Sequence, residues 1–527
     1  MKEGTVSRRG FVQGAAVAAA AAAAGATAAS LTGCKPEEVD KIVWDKEVDV
    51  VVVGYGGAGA ATAITAHDEG AEVLVLEKMD RGGGNTCVSG GGFLCPGDAN
   101  LAYTYINQLF ELSHSNKDEQ INRTFADESV KNVDWFMGLK PGIELARYGG
   151  AGYPTLPGSE TINKMWMVVS SGTQAAGLFG VYTYAVEEDR GIEVMFSTPG
   201  KELIQNADGE IIGIIATQPD GTDINIKAKR GVVLTTGGYE YNGEMLRNYT
   251  KGAPIYALGW EGNTGDGIIM SQKVGAGMWH LNGASCPLGV LYPNVPGSYQ
   301  LSAPGTAYIW VDQAGKRFID EAAVEGHAGL LAVDFYATKE HRYPRIPAYL
   351  IFDGTQNRAI GASFGIAPLI RPWSTRNVDE IASGKIRQDA TLEGLAAKLN
   401  PNMDPKVFAA TVEKWNDYVM ETKTDLDFGR TISATSTAAA LVTPPYYGVE
   451  IVPTLLNTQG GPRRNVKAQV LDSFERPIPR LYSSGELGCM WGIIYQGSGN
   501  NGEAMVFGRI AGTNVAAELP WDEPVEA

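Results

Sequence analysis

The chain becomes strongly patterned at Val48, where Val48-Asp49-Val50-Val51-Val52-Val53 forms a nearly continuous apolar run that reads as a strand. Gly54-Tyr55-Gly56-Gly57-Ala58-Gly59 follows, then an alanine-rich stretch to about Glu69 that reads as a helix. Glu72-Val73-Leu74-Val75-Leu76 reads as a second strand, ending at Glu77. The order is strand, glycine turn, helix, strand. Far downstream, Val407, Phe408, Thr411, Val412 and Trp415 recur at helical spacing and predict a packed helix from Pro405 to Tyr418. The Gly- and Pro-rich stretch near Pro293 to Pro304 reads as loops, and no internal repeat is evident.

The glycine turn has the spacing of a dinucleotide fingerprint. Gly54 allows the tight turn, Gly56 lets the backbone approach a pyrophosphate, and Gly59 allows the helix to pack closely, with Gly57 and Ala58 between them. The helix N-terminus then faces the phosphates, and Glu77 stands where a carboxylate takes ribose hydroxyls. A glycine turn alone is weak evidence, because many bind nothing. The flanking strand and helix and the acid 18 residues past Gly59 strengthen it.

Composition narrows the class. A chain of 527 residues with 44% hydrophobic content can bury a large core and is expected to form about two joined domains. The formal charge of −17 would be repelled by a phosphate backbone, which argues against a nucleic-acid partner. Cys34, Cys87, Cys95, Cys286 and Cys489 are too scattered for a disulfide framework or a zinc site, and no metal is expected. The chain has no Cys-x-x-Cys-His run for attaching haem.

Residues 1–34 read as an address. Ser7-Arg8-Arg9-Gly10-Phe11 is a twin-arginine pattern, followed by a weakly apolar alanine run and Leu31-Thr32-Gly33-Cys34. This resembles a Tat signal with a lipoprotein cleavage site, and predicts export to the cell envelope, on the outer face of the cytoplasmic membrane or in the periplasm. Plain cleavage nearby, or an uncleaved anchor of roughly 20 small apolar residues, are the alternatives.

Lys78-Met79-Asp80-Arg81-Gly82-Gly83-Gly84-Asn85-Thr86-Cys87-Val88-Ser89-Gly90-Gly91-Gly92 resembles the second cofactor segment of the fumarate reductase and succinate dehydrogenase flavoprotein family. The resemblance continues through Gly231 to Tyr239, with its turn at Gly237, and through Asn263-Thr264-Gly265-Asp266-Gly267. It extends to Gly315-Lys316-Arg317-Phe318-Ile319-Asp320-Glu321 and Leu481-Tyr482-Ser483-Ser484-Gly485-Glu486. It implies an α/β fold: a Rossmann-like FAD-binding domain, residues 45–270 and 431–527, with an inserted α+β capping domain, 271–430. The implied FAD contacts are Ala58, Glu77, Asn85, Thr86, Gly91, Lys201, Asp266, Asn457, Glu486, Asn500 and Asn501, with Lys78 and Gly92 in the same segment. Asn85 stands where membrane-bound members attach FAD through a histidine, so attachment is expected to be noncovalent.

The resemblance also implies hydride exchange between flavin and a carbon, with a protein group handling the neighbouring proton. Counting from the Arg-Phe signature places Glu325 at the proton-donor position. Burial beside a flavin would raise its pKa, whereas a solvated loop carboxylate is the plain alternative. His327 is the reserve. Gly492-Ile493-Ile494-Tyr495-Gln496-Gly497-Ser498-Gly499 is more similar to the 3-ketosteroid dehydrogenase run, which implies that Tyr495 and the Gly499 N–H hold a carbonyl oxygen. Tyr495 as an ordinary packed aromatic is the other reading, and Tyr153 either lines the pocket or serves a turn.

The arginines and histidines that clamp a dicarboxylate are missing, so an enone, enoate or unsaturated lactone is expected rather than fumarate. The leading expectation is an exported ene-reductase of anaerobic respiration, supplied with electrons by a partner such as a membrane-linked cytochrome. A ketone-desaturating dehydrogenase and a non-catalytic binding lipoprotein are the alternatives.

Overall fold

In the computed structural model, the apolar run becomes strand β1 (Lys46–Val53), the alanine-rich stretch helix α1 (Gly57–Asp68), and the second run β2 (Val73–Leu76). The described residues are 42–522 apart from 150–151, 163, 170–173, 252–253, 292–297, 303–305, 356–360 and 363–372. The expected signal in residues 1–34, with Cys34, lies outside them. Among the described residues no helix is long and apolar enough to cross a membrane.

β1 is apolar almost throughout because both its faces are covered. Val50 and Val52 belong to one hydrophobic cluster, Val51 and Val53 to another, and all four are at most 3% exposed. Strands β3 (Asp223–Leu234) and β4 (Pro477–Ser483) complete a parallel run in the order β4, β3, β1, β2, extended by Glu193–Met195. Antiparallel strands finish the sheet: Gln469–Leu471 lies on β4, and the hairpin of Gly200–Gln205 and Ile211–Thr217 lies on β3. A parallel core covered on both faces is the expected α/β arrangement.

Helix α1 is small-residued all round, because the C-terminal helix Gly499–Ala516 lies directly on it. A Cβ on Gly508 would stand 2.7 Å from the Ala61 Cβ, and one on Gly512 2.7 Å from the Thr62 carbonyl oxygen. Larger residues at either place would push the two helices apart.

The second large sheet is mostly antiparallel and is centred on Tyr446–Leu455, which pairs with Ala348–Phe352, Leu288–Leu291 and Ile386–Asp389. This central strand lies past residue 431, in the stretch the sequence reading places with the second part of the cofactor domain. The predicted helix is present as Pro405–Asp417. Asp404 caps it by accepting from the N–H groups of Lys406 and Val407, and Phe408, Val412 and Trp415 pack on Ile309, Tyr349 and Ile351. Ser298–Ser302, expected as loop, is a strand paired with Leu288–Leu291. Its polar and apolar residues alternate, a pattern the flanking glycines and prolines masked.

A buried ionic network holds the two ends of this second region together. Arg317 donates to Glu321 and Asp425 at 3.0 Å each, and Arg430 donates to the other Glu321 oxygen at 2.6 Å and to the carbonyls of Tyr308 and Thr306. Both guanidinium groups lie over the Trp415 ring, at 4.6 and 4.8 Å. Desolvated charges of this kind are tolerable only when each is paired, and loss of one partner leaves the others uncompensated. Glu321→Gln should therefore cost about 3–5 kcal/mol, seen as a clear fall in Tm of the cofactor-loaded protein. An unchanged Tm would show that the network contributes nothing to stability.

Candidate active site

Strands β1, β2, β3 and β4 run parallel, so their C-terminal ends open on one side of the sheet, the side where such folds bind ligands. A cavity of about 360 Å³ lies there, lined from all four ends and by the second region through Leu258, Trp260, Gly326, His327, Leu456 and Asn457.

The glycine turn forms one wall. Gly54 has φ +107°, and a Cβ there would come within 2.5 Å of the Thr235 carbonyl oxygen; a Cβ on Gly59 would come within 2.0 Å of the Gly54 oxygen. These two glycines are demanded by the protein's own backbone. Gly56 differs: its φ is −97°, and a Cβ would meet only the Gly83 oxygen at 3.7 Å and the Gly84 Cα at 3.9 Å, which is ordinary contact. The free space at Gly56 belongs to the cavity. Helix α1 begins there with no side-chain cap and no acidic residue in its first turn, so its positive end faces the cavity. Gly57 N–H is held by Thr86 Oγ1 at 3.1 Å.

Glu77 ends β2 at the same wall. Its carboxylate accepts from the N–H groups of Tyr55 (2.9 Å) and Met79 (2.8 Å), and burial raises its pKa against these two donors. Lys78 is paired with Asp266 at 2.8 Å and donates to Thr264 at 2.6 Å. Gly237, Asp266, Asn457, Asn500 and Asn501 line the cavity as expected from the sequence, and so does Gly92; Asn501 donates to the Gly92 carbonyl at 2.8 Å. Gly91, at φ +73°, stands between two lining residues but is not itself one.

Two carboxylates meet on Asn85. Its Nδ2 donates to Glu240 at 3.1 Å and to Glu486 at 2.7 Å, while its Oδ1 accepts from Trp260 N–H at 2.6 Å. Asn500 donates to the other Glu486 oxygen at 3.3 Å. Burial pushes Glu240 up to about 7, and burial together with the Glu240 charge raises Glu486 well above the usual carboxylate range. Glu240 escaped the sequence reading, although it stands only three residues after Gly237, because the Gly-Gly turn alone drew attention there.

At the opposite wall the structure rearranges the expected catalytic set. Glu325 does not line this cavity: its carboxylate takes the His327 backbone N–H at 2.8 Å and the His327 Nδ1 at 2.9 Å, and faces a second cavity of about 160 Å³. His327, the reserve candidate, lines the main cavity and packs edge-on against Tyr495, ring centres 5.0 Å apart. Tyr495 lines the cavity too, and its hydroxyl accepts from the Asn500 N–H at 3.3 Å, leaving its own proton for donation. Burial raises the Tyr495 pKa far above that of a free phenol, so the hydroxyl stays protonated.

Two expected residues are placed elsewhere. The Gly499 N–H is already donated to the Gln496 carbonyl at 2.8 Å within the turn that starts the last helix, so it does not supply the second carbonyl donor. Lys201 points away: its ammonium pairs with Asp223, it is 56% exposed, and the adjoining Pro199 and Gly200 line the cavity instead. Alternation along a strand accounts for this, since neighbouring side chains face opposite ways. Tyr153 is not among the lining residues: its N–H donates to the Tyr105 hydroxyl at 3.1 Å, and Tyr105 in turn bonds Gln496.

Comparison with known proteins agrees with this layout. The family described as FAD binding domain matches residues 49–501. Digoxin reductase of Eggerthella lenta is 27% identical over 569 residues, covering 98% of this chain and 95% of that protein. NADH:fumarate oxidoreductase of Klebsiella pneumoniae is 28% identical over 488 residues, covering 89% of this chain and 48% of that protein, so the chain spans about half its length. The solved 3-ketosteroid delta1-dehydrogenase from Sterolibacterium denitrificans, in complex with 1,4-androstadiene-3,17-dione, is similar with a TM-score of 0.77 over 90% of this chain and 100% of that one. At 24% identity this likeness shows a shared fold.

The residues present fit FAD. The open space at Gly56 and the uncapped helix end suit a pyrophosphate, Glu77 suits ribose hydroxyls, and Asn85 and Glu486 stand further along the cavity wall. Gly56→Ala therefore separates the two demands on the turn: a methyl group fits the protein but occupies ligand space. FAD affinity should fall about tenfold or more, about 1.4 kcal/mol per tenfold, with the Tm of the apoprotein unchanged; equal FAD affinity in a titration would remove Gly56 from the site. The match takes in almost the whole cavity wall, and the wall has the cradle such a cofactor needs: the chain belongs to the FAD binding domain family.

Proposed function

We propose that this FAD-dependent oxidoreductase reduces an activated C=C bond of an uncharged, bulky conjugated compound such as an enone, enoate ester or unsaturated lactone. The observation that carries the reading is the His327–Tyr495 wall, braced from behind by Glu325, in a cavity whose lining among the described residues contains no arginine. Bound FAD supplies the hydride for such a reaction.

The protein groups account for the rest. Glu325 holds Nδ1 of His327, which fixes the ring and turns its other nitrogen to the cavity, where it serves as the proton donor to the substrate α-carbon. This exchanges the roles first expected: His327 is the acid and Glu325 its positioning partner. Tyr495 donates to the carbonyl oxygen, where negative charge develops as hydride arrives at the β-carbon. Lys78, the lining ammonium, is tied to Asp266, and no arginine stands among the described lining residues, so the guanidinium clamp that a dicarboxylate needs is missing.

One relative, named digoxin reductase, favours a bulky substrate, and the match to it runs nearly the length of both chains. The twin-arginine pattern supports a place in the cell envelope, with FAD bound noncovalently and electrons supplied by a separate donor such as a membrane-linked cytochrome.

His327→Gln should slow reoxidation of the reduced protein by a conjugated alkene by about 10²–10⁴-fold while FAD stays bound, measured anaerobically by stopped-flow absorbance. Glu325→Gln should slow it less, because the ring remains in place. Full rate in His327→Gln would rule out this acid, and full loss in Glu325→Gln alone would return the role to Glu325.

A further inference from the structure

Glu240 is almost fully buried and never reaches the cavity, yet it shares the Asn85 amide with Glu486, which does. One Glu240 oxygen takes Asn85 and the Thr458 N–H at 2.9 Å, and the Asn263 side chain is the remaining donor beside the carboxyl group. Neither carboxylate forms an ion pair among the described residues. The titratable groups that face them are Tyr239 and Tyr241 beside Glu240, and Cys489 and Tyr495 beside Glu486. Burial raises all four, so they remain neutral and offer no positive charge.

Two desolvated carboxylates joined through one amide and lacking a cation cannot both be ionised at modest cost, so the pair retains a proton. This geometry lies at the wall that Asn85 and Glu486 present to the cofactor. We propose that Glu240 is a positioning residue for the cofactor's redox state, coupling the arrival of two electrons to the uptake of one additional proton by the Glu240–Glu486 pair. The inference rests on FAD in the cavity and is independent of the substrate.

The balance is simple. An external low-potential reductant loses two electrons, and these reside on the cofactor. The pair, holding one proton beforehand, binds a second from solvent, so the site gains one unit less negative charge. The sign follows from linkage. Glu240 is neutral below its raised pKa near 7, and added negative charge nearby raises that value further. Between the two values the reduced protein binds one proton more than the oxidised protein. The reduction potential then falls with pH more steeply, by a factor of ten per pH unit in the two-electron equilibrium, about 30 mV.

The test is a spectroelectrochemical titration of the full-length FAD-loaded protein across pH. The wild type should show the steeper segment starting near pH 7, and Glu240→Gln, which preserves the acceptor for Asn85, should lose it with the flavin spectrum intact. Equal slopes in both proteins would overturn the proposal. Should Glu240→Gln fail to hold FAD, proton uptake on reduction of the wild type in weak buffer decides: one proton more above neutral pH than in acid supports the pair, and uptake that does not rise overturns it.

Discussion

The cavity depends on how closely helix α1 lies against the ends of β1 and β3. The Gly59 position approaches the Gly54 carbonyl so nearly that no side chain fits, and Thr235 closes over both by donating to the Gly54 oxygen at 2.8 Å. This contact aims the uncapped end of α1 into the cavity. Gly508 and Gly512 of the last helix press α1 from its other side. With the helix fixed between sheet and helix, one glycine, Gly56, is free of packing duties and opens space for a ligand. Stability and binding are thus divided among glycines that look alike in the sequence.

The charge of the site follows a second division. Carboxylates gather where the cofactor lies: Glu77 held by two backbone N–H groups, Glu240 and Glu486 held by Asn85. Positive charge is kept out or tied down, with Lys78 given to Asp266, and Arg317 of the signature segment and the distant Arg430 spent on Glu321 and Asp425. The signature arginine is therefore a structural cation, and it steadies the segment that leads to Glu325 and His327. In the function proposed above, protons pass through side chains other than a guanidinium clamp, and an uncharged substrate is favoured over a dicarboxylate.

The fold was legible wherever periodicity and backbone demand coincide. The β1 run, the glycine turn, α1 and Glu77 stand at their predicted places, because a covered parallel strand is apolar throughout and a tight turn needs glycine. The helix Pro405–Asp417 followed from its apolar spacing. The wall formed by His327 and Tyr495 was less legible. Glu325 and His327 lie on a loop, where no period says which of two neighbours faces inward, and their mutual hydrogen bond settles the matter only in three dimensions. Gly499 failed as a donor because a local turn claims its N–H, and Lys201 because its strand turns it outward. Glu240 was invisible for another reason: its partners Asn85, Thr458 and Glu486 are 155, 218 and 246 positions away, and a pair assembled from separate segments leaves no local signal.

The central claim is that reduced FAD in this cavity delivers its electrons to an uncharged conjugated alkene. The most direct measurement is an anaerobic titration of the photoreduced protein with single compounds, an enone, an unsaturated lactone, an enoate ester and fumarate, followed by the flavin spectrum and by product analysis. The account predicts that one of the uncharged alkenes reoxidises the flavin with one equivalent of saturated product per flavin, while fumarate leaves it reduced. Reoxidation by fumarate alone would contradict it.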